Sequence, residues 1–215
     1  MKKFNKIVLA GGSGYLGKVL AKHYMGLANE VIILARQQQP IGLPNIKTVL
    51  WDGKTEGDWS IEIENADLLI NLCGKNVNCR YTSKNRQEII YSRVGPTRLL
   101  NRVIEKMINP PKVWINITSA TIYRHAEDHE QDESTGEIGY GFSVEVCRQW
   151  EESFFETQLP NTRKIALRMG IVLGRSGGAF PRLLTLAKFG MGGKQGDGKQ
   201  YVSWIHEQDA ALSTQ

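Results

Sequence analysis

The sequence predicts an α/β protein built on a doubly wound parallel sheet. Three observations predict it. Short, nearly continuous apolar runs alternate with longer helical patterns as far as residue 174. Runs such as Ile7-Val8-Leu9-Ala10 and Leu68-Leu69-Ile70 lack the in/out alternation of a half-solvated strand, so each reads as buried on both faces, as in a parallel sheet covered by helices. The first run enters a glycine cluster, Gly11-Gly12-Ser13-Gly14-Tyr15-Leu16-Gly17, and an amphipathic pattern from Lys18 to Met25 follows.

That cluster is the first element and carries the main functional signal. Gly11, Gly14 and Gly17 fit G-x-x-G-x-x-G. The first glycine permits a sharp turn, the second lets a pyrophosphate approach the backbone, and the third lets the helix lie close to the strand. The helix start adds unpaired N–H groups and a partial positive charge. Ser13, Tyr15 and Leu16 share the turn and join the cofactor-binding candidates. The strand–turn–helix context favours a Rossmann-type dinucleotide site over an ordinary glycine-rich turn.

The second strand, Glu30 to Arg36, ends Ala35-Arg36 with no acidic residue nearby. An acid there would bind the adenosine ribose 2′-hydroxyl, whereas an arginine suits a 2′-phosphate, so NADP is expected rather than NAD. The third strand, Lys47 to Leu50, leads to Asp52, which either reads an adenine amino group or is a turn aspartate. The fourth strand, within Ala66–Gly74, ends at Leu72, Cys73 and Gly74, where the middle of the cofactor should pass. Gly74 would let backbone approach the ligand, and Cys73 reads as a small buried residue rather than a reactive thiol.

A long helix is predicted from Ser83 to Met107, kinked at Gly95-Pro96. The fifth strand, Val113 to Thr118, delivers Ser119. A polar loop from Arg124 to Glu137 carries His125 and His129, which lack a third metal ligand at defined spacing. A helix from about Phe142 to Glu156 and a sixth strand, Lys164 to Met169, follow; Met169 joins the cofactor site. From Gly177 glycine density rises, with a short helix near 179–189 and a glycine-rich loop whose Lys188, Lys194 and Lys199 suit either an anionic substrate or solvent. The expected division is a dinucleotide-binding domain over 1–176 and a partial, incomplete substrate-side segment over 177–215.

Several strings together resemble the extended short-chain dehydrogenase/reductases, and within them an NAD-dependent epimerase/dehydratase-like subfamily whose members carry a further C-terminal segment. They are Gly11–Gly17, Asn71–Gly74, Trp114–Tyr123, Val146–Glu151, Leu167–Gly174 and Ser203–His206, with Tyr81-Thr82 and Ser92-Arg93 where the subfamily tends to show Trp-Thr and Ser-Arg. The resemblance implies a sheet of order 3-2-1-4-5-6-7, NADP across the strand ends, a small-molecule substrate, and about 80 further residues to complete a substrate domain.

It also implies a catalytic serine, tyrosine and lysine, the lysine bringing the phenol's ionisation toward neutrality. Ser119 matches the serine. Tyr140 begins a Tyr-Gly-x-Ser-x string, but Val144 holds the lysine position. A second alignment, anchored on Val146–Glu151, puts Phe142 in the tyrosine position. Tyr123 is another phenol near Ser119, with aromatic packing as its other reading. The sequence therefore supports two functions: an NADP(H)-dependent oxidoreductase or epimerase-like enzyme using Ser119, Tyr140 or Tyr123, or a dinucleotide-binding sensor or scaffold without turnover. His206 reads as a domain anchor rather than a catalytic group.

Bulk properties bound the rest. A net charge of +5 suits nucleotide phosphates, while scattered lysines and arginines argue against nucleic acid. Three cysteines without metal spacing or a signal peptide point to reduced thiols in a cytoplasm. The N-terminal apolar run is too short for a membrane span or secretory signal. The helices near 83–107 and 142–156 could pair with a second copy as a four-helix bundle in a homodimer, or pack on their own sheet. Gln37 to Gln39 reads as a surface loop.

Overall fold

The computed structural model describes residues 2–38, 43–194 and 196–215; Gln39, in the expected surface loop, lies outside them. Six strands form one wholly parallel sheet: β1 (Phe4–Ala10), β2 (Ala28–Ala35), β3 (Ile46–Leu50), β4 (Leu68–Asn71), β5 (Val113–Ser119) and β6 (Arg163–Met169). Their order is β3-β2-β1-β4-β5-β6. The sequence direction reverses between β1 and β4, so a crevice opens at the carboxyl ends of these strands.

Helices cover both faces, as the continuous apolar strands require. α1 (Tyr15–Met25) packs with Ile7, Leu9 and Ile33 on one face. On the other, α2 (Ser83–Glu105) and α3 (Phe142–Phe155) bury Val8, Ala10, Ile32, Leu69 and Trp114. Successive residues of β1 thus serve opposite cores. α2 runs unbroken through Gly95 and Pro96. Pro96 cannot donate to the Ser92 carbonyl one turn back, yet the helix continues through it and Pro96 is buried.

The seventh strand differs from expectation. After Met169 the chain leaves the main sheet. β7 (Ile171–Gly174) instead pairs with β8 (Gly177–Gly178) and, in parallel, with β9 (Trp204–His206) in a small second sheet. Gly170 is the bend: a Cβ there would lie 2.9 Å from the Ser203 carbonyl oxygen. The boundary expected at 176/177 falls inside the β7–β8 hairpin. α4 (Phe180–Lys188) follows that hairpin with no buried residue. α5 (Glu207–Leu212) folds back on α1, where Tyr24 Oη donates to the Thr214 carbonyl at 2.8 Å. His206 accepts from the Gln208 N–H at 3.3 Å and caps α5.

Two side-chain clusters hold the sheet in register. At its amino edge Asp67 accepts from the N–H groups of Asn5 (2.6 Å) and Lys6 (3.3 Å) and from Lys112 Nζ (2.7 Å), tying β1, β4 and β5 together. At the carboxyl edge Asn71 Nδ2 donates to Asn116 Oδ1 (2.7 Å) and Thr97 Oγ1 (3.0 Å), and Trp150 Nε1 reaches the same hydroxyl at 3.1 Å. This buried group joins β4, β5, α2 and α3 under the crevice.

Two stability tests arise from these clusters. Thr97→Val strips the acceptor from Asn71 and Trp150 and should cost about 2–4 kcal/mol in denaturant unfolding. A cost below about 0.5 kcal/mol would show that the hub is not structural. Burial opposes the charge on Asp67, but Lys112 and the two N–H groups outweigh it and hold the carboxyl below its usual range. The stabilisation is complete above the unfolded carboxyl value of about 3.9 and is lost as pH falls through the depressed folded value. Asp67→Asn should lower stability near neutrality by about 1–2 kcal/mol and flatten the acid limb of the stability–pH curve.

Candidate functional site

The crevice is a cleft of about 520 Å³ bounded by the glycine turn, the end of β4, α2, the end of β5 and the first turns of α3. Gly11, at φ 75°, makes the turn, and a Cβ there would lie 2.8 Å from Cys73 Sγ. At Gly17 a Cβ would lie 2.1 Å from the Gly12 carbonyl oxygen, so only glycine allows α1 this close to the strand. Nothing lies within 4 Å of the Cβ direction at Gly14, which leaves room over the turn. Gly14 is also the N-cap of α1, with no side-chain cap bond and no acid in the first turn. The helix start is thus uncapped, with its N–H groups and partial positive charge free for an anion.

Gly11, Gly14, Tyr15, Leu16, Gly17, Leu72, Cys73, Gly74 and Ser119 all line this cleft. Ser13 lies in the turn but does not line it, and Met169 lines a second cleft. Tyr15 has a further role: its hydroxyl donates to Glu207 Oε2 at 2.5 Å, and its ring packs on Gly177 and Gly178, so it bolts the C-terminal segment to the turn. Burial and the Glu207 carboxylate both raise the Tyr15 ionisation well above its usual value. Burial pushes the Cys73 thiol up to about 12 and that of Cys147 up to about 11, so both are protonated packing groups. The space beside Gly74 is filled by the Arg93 guanidinium, whose Cζ would be 3.1 Å from a Cβ at 74.

Arg36 follows β2 directly, is exposed, and is near enough to favour ionisation of Cys73. Asp52 takes the turn form: it accepts from the N–H groups of Lys54 (2.7 Å) and Thr55 (2.9 Å) and from the Thr55 hydroxyl (2.8 Å). It does not line the cleft.

Ser119, at the end of β5, accepts from the Thr121 N–H at 3.2 Å and donates to Thr121 Oγ1 at 2.9 Å. The two phenols are placed elsewhere. Tyr140 is 96% exposed and outside the cleft. The chain turns at Gly141 (φ 100°), and Phe142, the first residue of α3, lines the cleft instead. Val144 is buried, and Arg148 points away to Glu152 at 3.7 Å. Tyr123 Oη accepts from Arg168 Nη1 at 2.7 Å, while Arg168 clamps Glu151 through Nε (3.0 Å) and Nη2 (2.8 Å). Glu151 also accepts from Thr118 at 3.0 Å. Tyr123 lines a second cleft of about 1170 Å³, which shares Ser119 and Thr121 with the first. That cleft includes His125 and His129, both held in surface contacts with Glu127, Asp128 and Glu137.

Sequence reasoning missed Lys75, Arg93 and Trp150 as lining groups. A signal existed for Arg93: a charge on the apolar stripe of α2, one turn after Ile89 and one before Thr97. Among the described residues no helix is long and apolar enough to cross a membrane.

Residues 7–212 match the NAD dependent epimerase/dehydratase family. The chain is 32% identical over 202 residues to epimerase family protein SSP1921 of Staphylococcus saprophyticus, covering 94% of this chain and 67% of that protein. It is 30% identical over 211 residues to mouse epimerase family protein SDR39U1, covering 96% and 68%. The crystal structure of human SDR39U1 (isoform 2) with NADPH superposes with a TM-score of 0.82 at 29% identity, over 96% of this chain and 67% of that one. The chain thus spans about two thirds of the length of these relatives, and it belongs to the NAD dependent epimerase/dehydratase family.

Proposed function

We propose that the chain is the dinucleotide-binding part of an NADP(H)-dependent oxidoreductase or epimerase-like enzyme acting on a small molecule. The observation that carries this is the uncapped start of α1 above an open Gly14, facing Ser119 across one cleft. The human relative crystallised with NADPH supports the same cofactor. The residues fit the group: Gly11–Gly17 would hold the diphosphate on backbone N–H groups, Arg36 the 2′-phosphate, and Leu72–Gly74 the middle of the molecule. Bound NADPH would supply a hydride. Ser119 would turn its hydroxyl from Thr121 to a substrate carbonyl oxygen and stabilise the charge that develops there as the hydride adds to the carbon, with a proton from water in the adjoining second cleft completing the alcohol. The second cleft, meeting the first at Ser119 and Thr121, would bring substrate to that hydroxyl, with Tyr123 on its wall.

A second reading, cofactor binding without turnover, draws on the exposure of Tyr140 and the burial of Val144. These leave the Tyr140–Val144 motif without a phenol–lysine pair, and Phe142 lines the cleft there.

Two measurements test these readings. In calorimetric titrations Arg36→Ala should weaken NADPH by about tenfold to a hundredfold and leave NADH within about twofold, as expected when a charge-assisted phosphate contact is lost. Equal losses for both cofactors would remove Arg36 as the selector. In NADPH oxidation assays with small aldehydes, ketones and quinones, Ser119→Ala should lower turnover by about a hundredfold or more with NADPH affinity unchanged. Turnover indifferent to that substitution, or absent throughout, favours the binding-only reading.

A further inference from the structure

Among the described residues, one positive charge in the cleft has no carboxylate partner. Two cationic side chains line it, Lys75 and Arg93. Lys75 is committed: its ammonium donates to Asn85 Oδ1 at 2.9 Å and pairs with Glu88. Arg93 has no carboxylate partner among the described residues. Its Nη1 donates to the Ile89 carbonyl at 3.0 Å and to Ser92 Oγ at 3.5 Å, its Nη2 donates to the Lys75 carbonyl at 3.2 Å, and its Cζ lies 5.3 Å from the Trp150 ring centroid. All of these partners are electrically neutral. They occupy three of the five N–H donors a guanidinium carries, so two remain. Burial lowers the Arg93 ionisation and outweighs the opposing influence of the nearby Cys147 and Tyr81, as expected of a desolvated charge with no carboxylate beside it.

The glycine turn has the opposite imbalance. Residues 11–17 contain no cation, so a diphosphate held there on N–H groups would keep its negative charges. Arg93 is close to that turn along the end of β4: Gly11 abuts Cys73, and the next residue, Gly74, abuts the guanidinium.

The geometry points to Arg93 as the counter-charge for an anionic phosphate or carboxylate group bound in this cleft. Its place beside the glycine turn favours the cofactor diphosphate as the source; an anionic group on the substrate presents the same chemistry. The assignment rests on the NADP(H) reading of the cleft.

The test is calorimetry on the full chain, comparing wild type with Arg93→Gln. Three ligands are used: NADPH, adenosine 2′-monophosphate (which lacks the diphosphate), and inorganic phosphate added to NADP⁺-saturated protein. Arg93→Gln should weaken NADPH by about tenfold to a hundredfold, the loss of charge-assisted hydrogen bonds. Adenosine 2′-monophosphate should stay within about twofold, because its phosphate sits at Arg36. If NADPH is unaffected but phosphate binds the saturated wild type and not the variant, the anion belongs to the substrate and the assignment of Arg93 stands. If a folded variant binds NADPH and phosphate like wild type, Arg93 is a strut between α2 and the β4 end, and the inference is overturned. Should Arg93→Gln not fold, Arg93→Met, which keeps the stem over Trp150, is read on the same criteria. Failure of the wild type to bind NADPH would remove the cofactor reading alone, and the phosphate titration would then be read on the unloaded protein.

Discussion

The hydroxyl of Thr97 is the point on which the cleft depends. It donates to the Arg93 carbonyl and accepts from Asn71 and Trp150, so one atom connects two turns of α2, the end of β4 and the middle of α3. Asn71 extends the group to Asn116 on β5 and, through its Oδ1, to the Cys73 N–H at 3.1 Å. A buried polar group costs free energy unless it is bonded, so these bonds favour the arrangement in which the four elements meet at Thr97 and Asn71. The walls of the cleft include the carboxyl ends of β4 and β5 and inward faces of α2 and α3. Arg93 and Trp150 reach it from helices that Thr97 holds together, and Ser119 lies three residues beyond Asn116.

The glycine turn is supported differently. Its shape comes from close backbone approach, at Gly11 against Cys73 and at Gly17 against Gly12. Its position is then locked from outside by Tyr15, whose hydroxyl meets Glu207 and whose ring fills the space left by Gly177 and Gly178. The small sheet of β7, β8 and β9 thereby becomes a brace for the start of α1. The side groups on that helix start favour an anionic ligand: no cap, no acid, and open space over Gly14.

Much of this fold was legible in the sequence because its signals are local. Continuous apolar runs mark strands buried on both faces, and the glycine spacing marks the turn whatever the rest of the chain does. Ser119 was legible because it ends a strand. The phenols were not. Tyr140 and Phe142 flank Gly141, which has φ 100°, and it is Phe142 that lines the cleft. Asp52 carried two meanings until its bonds to Lys54 and Thr55 showed the turn. The exit of β7 from the main sheet depends on Gly170 meeting Ser203, 33 residues later, and the Tyr15–Glu207 bond spans 192 positions. Contacts of that range leave no periodic trace.

The central claim is that NADPH occupies the cleft between Gly11 and Ser119, and Trp150 on its wall offers a direct reporter. The measurement is energy transfer from tryptophan to the reduced nicotinamide during an NADPH titration. Wild type should show saturable sensitised nicotinamide emission with a matching loss of tryptophan emission, and Gly14→Asp, which sets a carboxylate in the open space over the glycine turn, should lose both. Transfer unchanged in Gly14→Asp, or no binding by wild type, would contradict the placement.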